Sequence, residues 1–412
     1  MERGVTRDLP SYSTIATALR KTTEHLALEV AQPRDSPPDW TELEWAIARS
    51  VAAMQGISFL LATRLRWKGP PAWQSFLADQ REQCLLRDSV IGQLLERLDA
   101  ASRDSRIACV GMKGASLRAL DIYAAGERPM GDVDLLVRDA DLAAAAMMMA
   151  RLGYVGTPVP DREIIYELPR KSPVKLDGEH VANPLKVEVH TSVAEPLPIR
   201  KVDITAKLWP PDARFGINGY RSLPALLLHC LLRAASNMRA HALRQIQLHD
   251  IAMVTRRMGA TDWASLLEGN SAAEERWWMY PPLALTARYY QCGTPPEVLA
   301  ELRAACPRLL RAVSEREALT DVSWSNLSIS AFPGMAWSRT AGDVVRYVRS
   351  RALPDRRALA GIEVAVEQQP QLETVPWYQL SHGKRIVRWL VSRPPRVQTL
   401  TSVIAALHDA RG

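Results

Sequence analysis

The sequence predicts an α+β fold in which a small mixed sheet is flanked by N-terminal and C-terminal helical regions. Three observations carry this. Apolar residues recur at three- and four-residue steps up to about residue 104. Short apolar or alternating runs replace that spacing from Arg106 onward. Helical spacing returns beyond Tyr220 and persists to the C-terminus. The boundaries that follow are 1–39, 40–104, 105–222 and 223–412.

Residues 1–39 end in the turn-rich Pro33-Arg-Asp-Ser-Pro-Pro38 and are expected to be loosely held. A helix over about 41–66 and another over about 72–101 follow, separated by the breaker Gly69-Pro-Pro71. Leu85, Val90, Leu94, Leu95 and Leu98 form the apolar stripe of the second. Residues 107–110 are a short strand, followed by a turn in which Gly111 and Gly114 flank Lys113 and by a helical stretch over 116–124. After a turn at Gly126 and Pro129, residues 132–137 form a second strand. A helix over 139–152, capped by Asp139 and ended by Gly153, comes next. Strands are expected over 163–168 and 185–193. Helices then cover 223–237, 241–258, 262–268 (with Thr261 as N-cap), 275–290 and 296–305, and the last eighty residues are helical with Pro- and Arg-rich interruptions.

Bulk composition narrows the function classes. A content of 47% hydrophobic and 24% charged residues is that of a globular protein, and 412 residues are too many for one ordinary core. No run approaches the ~20 uninterrupted apolar residues of a membrane span. The N-terminus carries Glu2 and Asp8 without a compact apolar core, so no secretory signal is read and a cytoplasmic location is expected. Cys84, Cys109, Cys230, Cys292 and Cys306 are widely spaced and make no CxxC pair, so they are expected to be buried thiols, not a disulfide framework or zinc site. The net charge of +7 is modest, and residues 341–412 hold eleven Lys/Arg against six Asp/Glu. That surplus suits a nucleotide or acidic partner, but a solvated Arg-rich surface is the preferred reading.

Two alternating segments carry the chemistry. Asp132 and Asp134 are two apart in an apolar strand, so both carboxylates leave one face while Val133 takes the other. Adjacent carboxylates repel unless a cation lies between them, and hard oxygen ligands suit Mg²⁺ or Mn²⁺. A D-x-D by itself also fits a solvated strand mouth. Lys186-Val-Glu-Val-His190 alternates in the same way, placing Lys186, Glu188 and His190 on one face. An exposed edge strand would show that pattern; so would a strand that lends Glu188 to the acids as a third carboxylate. Lys113, between Gly111 and Gly114, is placed to approach phosphate oxygens, with Arg128 four residues before Asp132 as a second cation. The full G-x-x-x-x-G-K-[ST] pattern is absent, which argues against a P-loop NTPase.

Taken together, Gly111-Met-Lys-Gly114, Tyr123, Arg128 to Val137, Gly153-Tyr154 and Val187-Glu-Val-His190 resemble the nucleotidyltransferase family often labelled uncharacterised, within the polymerase-β-like superfamily. The likeness continues through residues 226–232 with His229, through Leu248-His-Asp-Ile-Ala252, and to Asp262-Trp263. It covers roughly residues 105–300. One departure stands out: where the superfamily has a Gly-Ser or Gly-Gly turn before the acids, this chain has Lys113-Gly114.

The resemblance implies that residues 105–222 are a catalytic domain for two-metal phosphoryl transfer, moving an NMP group from an NTP, with ATP the expected donor. Asp132 and Asp134 would bridge the metals, and Glu188 would hold the one that activates the acceptor. Lys113 and Arg128, with Gly111 and Gly114, would grip the triphosphate, and His190 would orient Glu188 or meet the acceptor, a packed strand-end histidine being the equal alternative. Asp250 is similar to a family acid, though a capping or salt-bridging role suits it better. The competing view of Lys113 pairs it with Asp132 or Glu188 to hold the acids together without metal. Mg²⁺ or Mn²⁺ and an NTP are thus the expected cofactor and substrate. The acceptor stays open among small molecules, peptides and proteins. Nucleic acid is not an expected partner, because no RNA-binding module is recognisable. Two other classes remain: an inactive member that only binds nucleotide or a partner, and a D-x-D nucleotide-sugar glycosyltransferase. The second usually needs a larger nucleotide-binding sheet ahead of the acids than residues 106–137 supply.

Overall fold

Helix α1 (Tyr12–Ala31) begins where Ser11 caps it, its hydroxyl accepting from the Thr14 amide at 3.2 Å. Ile15, Leu19, Leu26 and Val30 line its buried face against α2 (Glu42–Gln55). Over residues 10–39 this corrects the expectation of a loosely held segment, while residues 1–9 lie outside the described residues: each of these side chains buried is worth about 1.5–3 kcal/mol, enough to fix a helix in place. The computed structural model describes residues 10–159, 163–169, 178–291, 293–328, 330–353, 380–391 and 395–409.

The helix expected over 41–66 is two helices. Thr41 and Glu44 form a capping box at the start of α2, and Gly56 ends it in a left-handed conformation (φ 68°). Helix α3 (Ser58–Arg64) leaves at 114°. A Cβ at Gly56 would meet the end of the Arg244 side chain at 2.6 Å and displace it, and the left-handed dihedral is what calls for glycine at the bend. Helix α4 (Pro71–Asp104) starts with a proline in its first turn and runs under the sheet. It buries Ile91, Leu94 and Leu98 there, whereas Leu85 and Val90, placed on its apolar stripe from sequence, are 41% and 40% exposed.

Next come β1 (Ala108–Gly111), α5 (Gly114–Ala119), β2 (Asp132–Val137), α6 (Leu142–Arg151), β3 (Val155–Val159), β4 (Glu163–Glu167) and β5 (Lys186–His190). The hairpin β6 (Ala194–Pro196) and β7 (Lys201–Asp203), the short α7 (Thr205–Leu208) and β8 (Gly216–Asn218) follow. The sheet order is β3-β4-β5-β2-β1-β8, with β5–β2 and β1–β8 parallel and the other pairs antiparallel. The sheet is mixed as expected. Asp139 and Asp141 form a 3-10 turn, so α6 begins later than anticipated, and neither side chain caps it.

Beyond β8 the described residues are helical: α8 (Leu223–Arg239), α9 (Gln245–Thr255), α10 (Ala260–Glu268), and further helices through Val397–Asp409. Gly259, not Thr261, occupies the N-cap of α10, with Asp262 folding back onto its amide at 2.9 Å. Residues 354–379 of the expected C-terminal helical region lie outside the described residues. No single described helix is long and apolar enough to cross a membrane; the bent α2–α3 pair passes that test only when taken together. Cys84, Cys109 and Cys306 are buried free thiols and Cys230 is half-buried; Cys292 lies outside the described residues.

Alternation in β2 and β5 divides the sheet's two faces. Val133, Leu135, Val187 and Val189 pack with α4 and α6 into one core. Asp132, Asp134, Glu188 and His190 therefore leave the opposite face, toward α8.

Candidate active site

The β1–α5 turn is built around Lys113. Gly111 and Gly114 keep ordinary negative dihedrals, and Lys113 itself takes φ 49°, ψ −114°, a conformation that favours glycine. The glycines serve packing. A Cβ at Gly111 would meet Ile217 of β8 at 2.9 Å, and one at Gly114 would meet the Met130 sulfur at 2.7 Å. The strained lysine is held from outside: its backbone N–H donates to the Tyr220 hydroxyl (3.0 Å), which lies 2.7 Å from Nδ1 of His229 on α8. Burial first, and then the Lys113 charge, hold the His229 imidazole well below its ordinary pKa. Burial likewise pushes the Tyr220 phenol well up. A neutral His229 accepting from the Tyr220 O–H is the consistent assignment. Strain of this kind, held by its surroundings, is concentrated at functional sites.

The acids meet on one face because register brings them there. Asp134 lies opposite Glu188 and Leu136 opposite His190 across the parallel β2–β5 pair. Asp134 is 3% exposed and receives two donors on one oxygen: Lys113 Nζ at 2.7 Å and His190 Nε2 at 3.1 Å from Oδ1. His190 Nε2 also lies 3.7 Å from Glu188, and its Nδ1 lies 3.7 Å from Glu163 of β4. Burial alone would raise the Asp134 carboxyl, but Lys113 and His190 overcome it and hold the group well below the usual carboxylate range. Asp132 goes the other way, pushed up to about 6 by burial first and by the Asp134 charge second. The repulsion anticipated from sequence thus falls on Asp132. Burial opposes the His190 imidazolium, yet its hydrogen bonds to Asp134 and Glu188 raise its pKa above the ordinary value.

Asp134, Glu188 and His190 each offer one ligand atom, all within 4.8 Å of one another. Two carboxylates and an imidazole fit a divalent cation, and Lys113 places a positive charge against the same oxygen. Asp132 is not part of that close set, although it lines the same cavity.

That cavity, of about 140 Å³, is lined by Lys113, Asp132, Glu163, Glu188, His190 and Arg233 among others. Arg233 carries no motif in the sequence that would mark it. It lies four residues after His229 on α8, on the same helix face, and is fixed by Glu195 of β6 at 3.0 Å. Glu195 also accepts from Ser236 at 2.7 Å, one turn further along. Glu163, Ser192, Ala194, Glu195 and Arg233 belong equally to a larger cleft of about 1360 Å³ between the β6–β7 hairpin, β4 and the C-terminal half of α8. The pairing of Arg233 with Glu195 was legible only as helical spacing of polar residues on an otherwise apolar α8.

Arg128 is not brought to the acids' cavity. Its Nε and Nη2 donate to Asp250 of α9 at 3.2 and 2.9 Å, and its Nη1 donates to the Pro129 carbonyl at 2.9 Å. Tyr123 adds a third bond to Asp250 at 2.8 Å. Arg128 lines a different cavity, of about 480 Å³, with Gly114, Arg118 and Tyr123. Asp250 is thus the salt-bridging residue that suited it from sequence.

No curated protein and no solved structure matches the chain. The model of the uncharacterised nucleotidyltransferase family matches residues 41–291, spanning α2 through the whole sheet to α12 (Tyr280–Tyr289, after the short α11, Ala273–Arg276), so more than half of the sequence is covered. With the paired acids, the partner carboxylate and the lysine turn all inside the matched segment, the chain belongs to the uncharacterised nucleotidyltransferase family.

Proposed function

We propose that this chain transfers a nucleoside monophosphate group from an NTP, with ATP the expected donor, to an acceptor hydroxyl on a small molecule, peptide or protein. One observation carries the reading: Asp132 and Asp134 of β2 and Glu188 of β5 leave the same face of a parallel pair, beside a lysine held at the end of β1. In the reaction, an acceptor oxygen forms a bond to the α-phosphorus as the bond to the α,β-bridging oxygen breaks, and pyrophosphate leaves. Asp134 and Glu188 would hold a divalent metal, which when bound would supply Lewis-acid polarisation of the phosphates. Lys113 offsets charge on the triphosphate, and Arg233 holds a second positive charge across the same cavity. Asp132, on the same strand face and lining the same cavity, is placed to take the acceptor's proton. The acceptor enters along the larger cleft, which shares Glu163, Glu195 and Arg233 with the acids' cavity.

The test is incubation of the purified protein with each α-phosphate-labelled NTP, divalent metal and a fractionated cell extract. Label should pass to an acceptor fraction with stoichiometric pyrophosphate, γ-phosphate label should not, and Asp134→Asn and Glu188→Gln should abolish the transfer. NTP binding without pyrophosphate release, or UDP release from a UDP-sugar in its place, would overturn the reading.

A further inference from the structure

We infer that His190 is itself a metal ligand, through Nε2, and that the centre prefers a divalent first-row transition ion to Mg²⁺. The inference rests on the nucleotidyl-transfer reading only in taking the acids as a metal centre. Alternation in β5 puts His190 on the face of Glu188, and the parallel register sets Glu188 against Asp134. Nε2 points into the gap between the two carboxylates, 3.1 Å from Asp134 and 3.7 Å from Glu188. The imidazole side chain is 12% exposed, so this orientation is imposed by packing.

The other face of the ring supports the assignment. Nδ1 lies 3.7 Å from a Glu163 carboxylate oxygen contributed by β4, which pairs with β5 at the Glu163–His190 position. Metal-binding histidines characteristically direct their second ring N–H at a carboxylate, which fixes the tautomer and leaves the lone pair on the ligating nitrogen. At 3.7 Å Glu163 lies just beyond hydrogen-bond length, so its carboxylate faces Nδ1 as a nearby charge that a small rotation of the ring would turn into that bond. A purely structural role for His190 is less economical, because Lys113 already sits 2.7 Å from the same Asp134 oxygen. An ammonium and an imidazole nitrogen that converge on one buried carboxylate oxygen mark the place where the fold expects a positive charge.

Ligand chemistry then sets the choice of ion. Mg²⁺ takes oxygen ligands and loses water reluctantly, whereas an imidazole favours later divalent ions, with affinity rising from Mn²⁺ along the first row. A centre of two carboxylates and one imidazole therefore departs from the all-oxygen set read from the sequence, in which Asp132 took the third place.

The experiment uses the full-length protein stripped of metal, without nucleotide, and Mn²⁺ as the probe. Free Mn²⁺ is followed by its paramagnetic resonance signal, Mg²⁺ affinity is measured by competition, and bound Mn²⁺ is examined by pulsed methods that detect a coordinated imidazole nitrogen. Wild type should bind Mn²⁺ at least about tenfold more tightly than Mg²⁺ and show the nitrogen coupling. His190→Gln should lose the coupling and the preference while keeping its Mg²⁺ affinity. Glu163→Gln should weaken Mn²⁺ by about ten- to a hundredfold, the usual effect of removing an outer carboxylate. Bound Mn²⁺ without nitrogen coupling in wild type, or equal affinity for the two ions, overturns the inference, and neither result depends on His190→Gln folding. The outcomes separate from those of the transfer assay. Label transfer by a protein without the preference leaves nucleotidyl transfer standing and removes this inference, and a nitrogen-coupled Mn²⁺ site in a protein that transfers no label does the reverse.

Discussion

Lys113→Met takes the ammonium off Asp134 while keeping most of the side chain's bulk, and the structure sets the size of the effect. Asp134 is 3% exposed and Lys113 24%, at a separation of 2.7 Å. Breaking a fully buried pair by removing one partner costs about 3–5 kcal/mol. Here His190 remains on the same oxygen, so the loss reduces to one charge-assisted hydrogen bond, about 1.5–3 kcal/mol. For a chain of 412 residues, about 2 kcal/mol lowers the melting midpoint by roughly 2 °C. Melting curves in chelator should show that drop, and saturating divalent metal should recover most of it, because the metal replaces the missing charge.

Lys113→Gly separates charge from backbone. It removes the same ammonium but relieves a residue held at φ 49°, so it should be less destabilising than Lys113→Met by about 1 kcal/mol. Calorimetric NTP titration of Lys113→Met adds the functional readout. Loss of a phosphate contact of the same strength weakens binding about ten- to a hundredfold. An unchanged melting curve in chelator refutes the stabilising ion pair, and unchanged NTP affinity refutes the phosphate contact.

Asp250→Ala strands the Arg128 guanidinium, 18% exposed, and the Tyr123 hydroxyl, so urea unfolding should show a loss of about 3–5 kcal/mol with NTP affinity per folded molecule unchanged. His249 is fully buried, and burial first, then Arg64 and Arg256, hold its imidazole down to about 3. Between an unfolded value near 6.5 and about 3, the unfolded chain binds the extra proton, so this residue's stability contribution is complete above pH 6.5 and is lost as pH falls, at up to about 1.4 kcal/mol per pH unit. His249→Phe should lack that part of the acid sensitivity: from pH 8 to pH 5, wild type should lose about 2 kcal/mol more than the variant, and parallel stability curves would rule this out. Asp132→Asn removes a buried charge beside Asp134 and should raise the melting midpoint of the metal-free protein while abolishing transfer; a lower midpoint would show that the Asp132 charge is compensated in the fold.

The paired acids and the Lys186–His190 stripe were legible because a strand's period of two is strict, and the parallel β2–β5 register then carried both patterns to one face. Helix α1 is equally legible. Ile15, Leu19, Leu26 and Val30 have helical spacing behind a Ser11 cap, and the proline-rich stretch at 33–38 marks only a turn that lies after the helix. β3 and β8 were hidden for physical reasons. Gly156 and Pro158 weaken the strand signal of an edge strand, and Gly216–Asn218 is too short to show alternation, deriving its extended form from pairing with β1. What the sequence withheld about the site is of a third kind. Arg128 lies four residues from Asp132 in the chain, and proximity in sequence suggested a shared ligand; 122 residues further on, Asp250 claims the guanidinium instead. Arg233 and Glu163 are remote from the acids in sequence and carry no motif, yet the α8 face and the β4–β5 pairing deliver both to the acids' cavity. Local periodicity says which face a side chain leaves from. Which charges meet across the gap depends on how separate elements dock, and that is where Lys113 acquired Asp134, and His190 its carboxylate on either side.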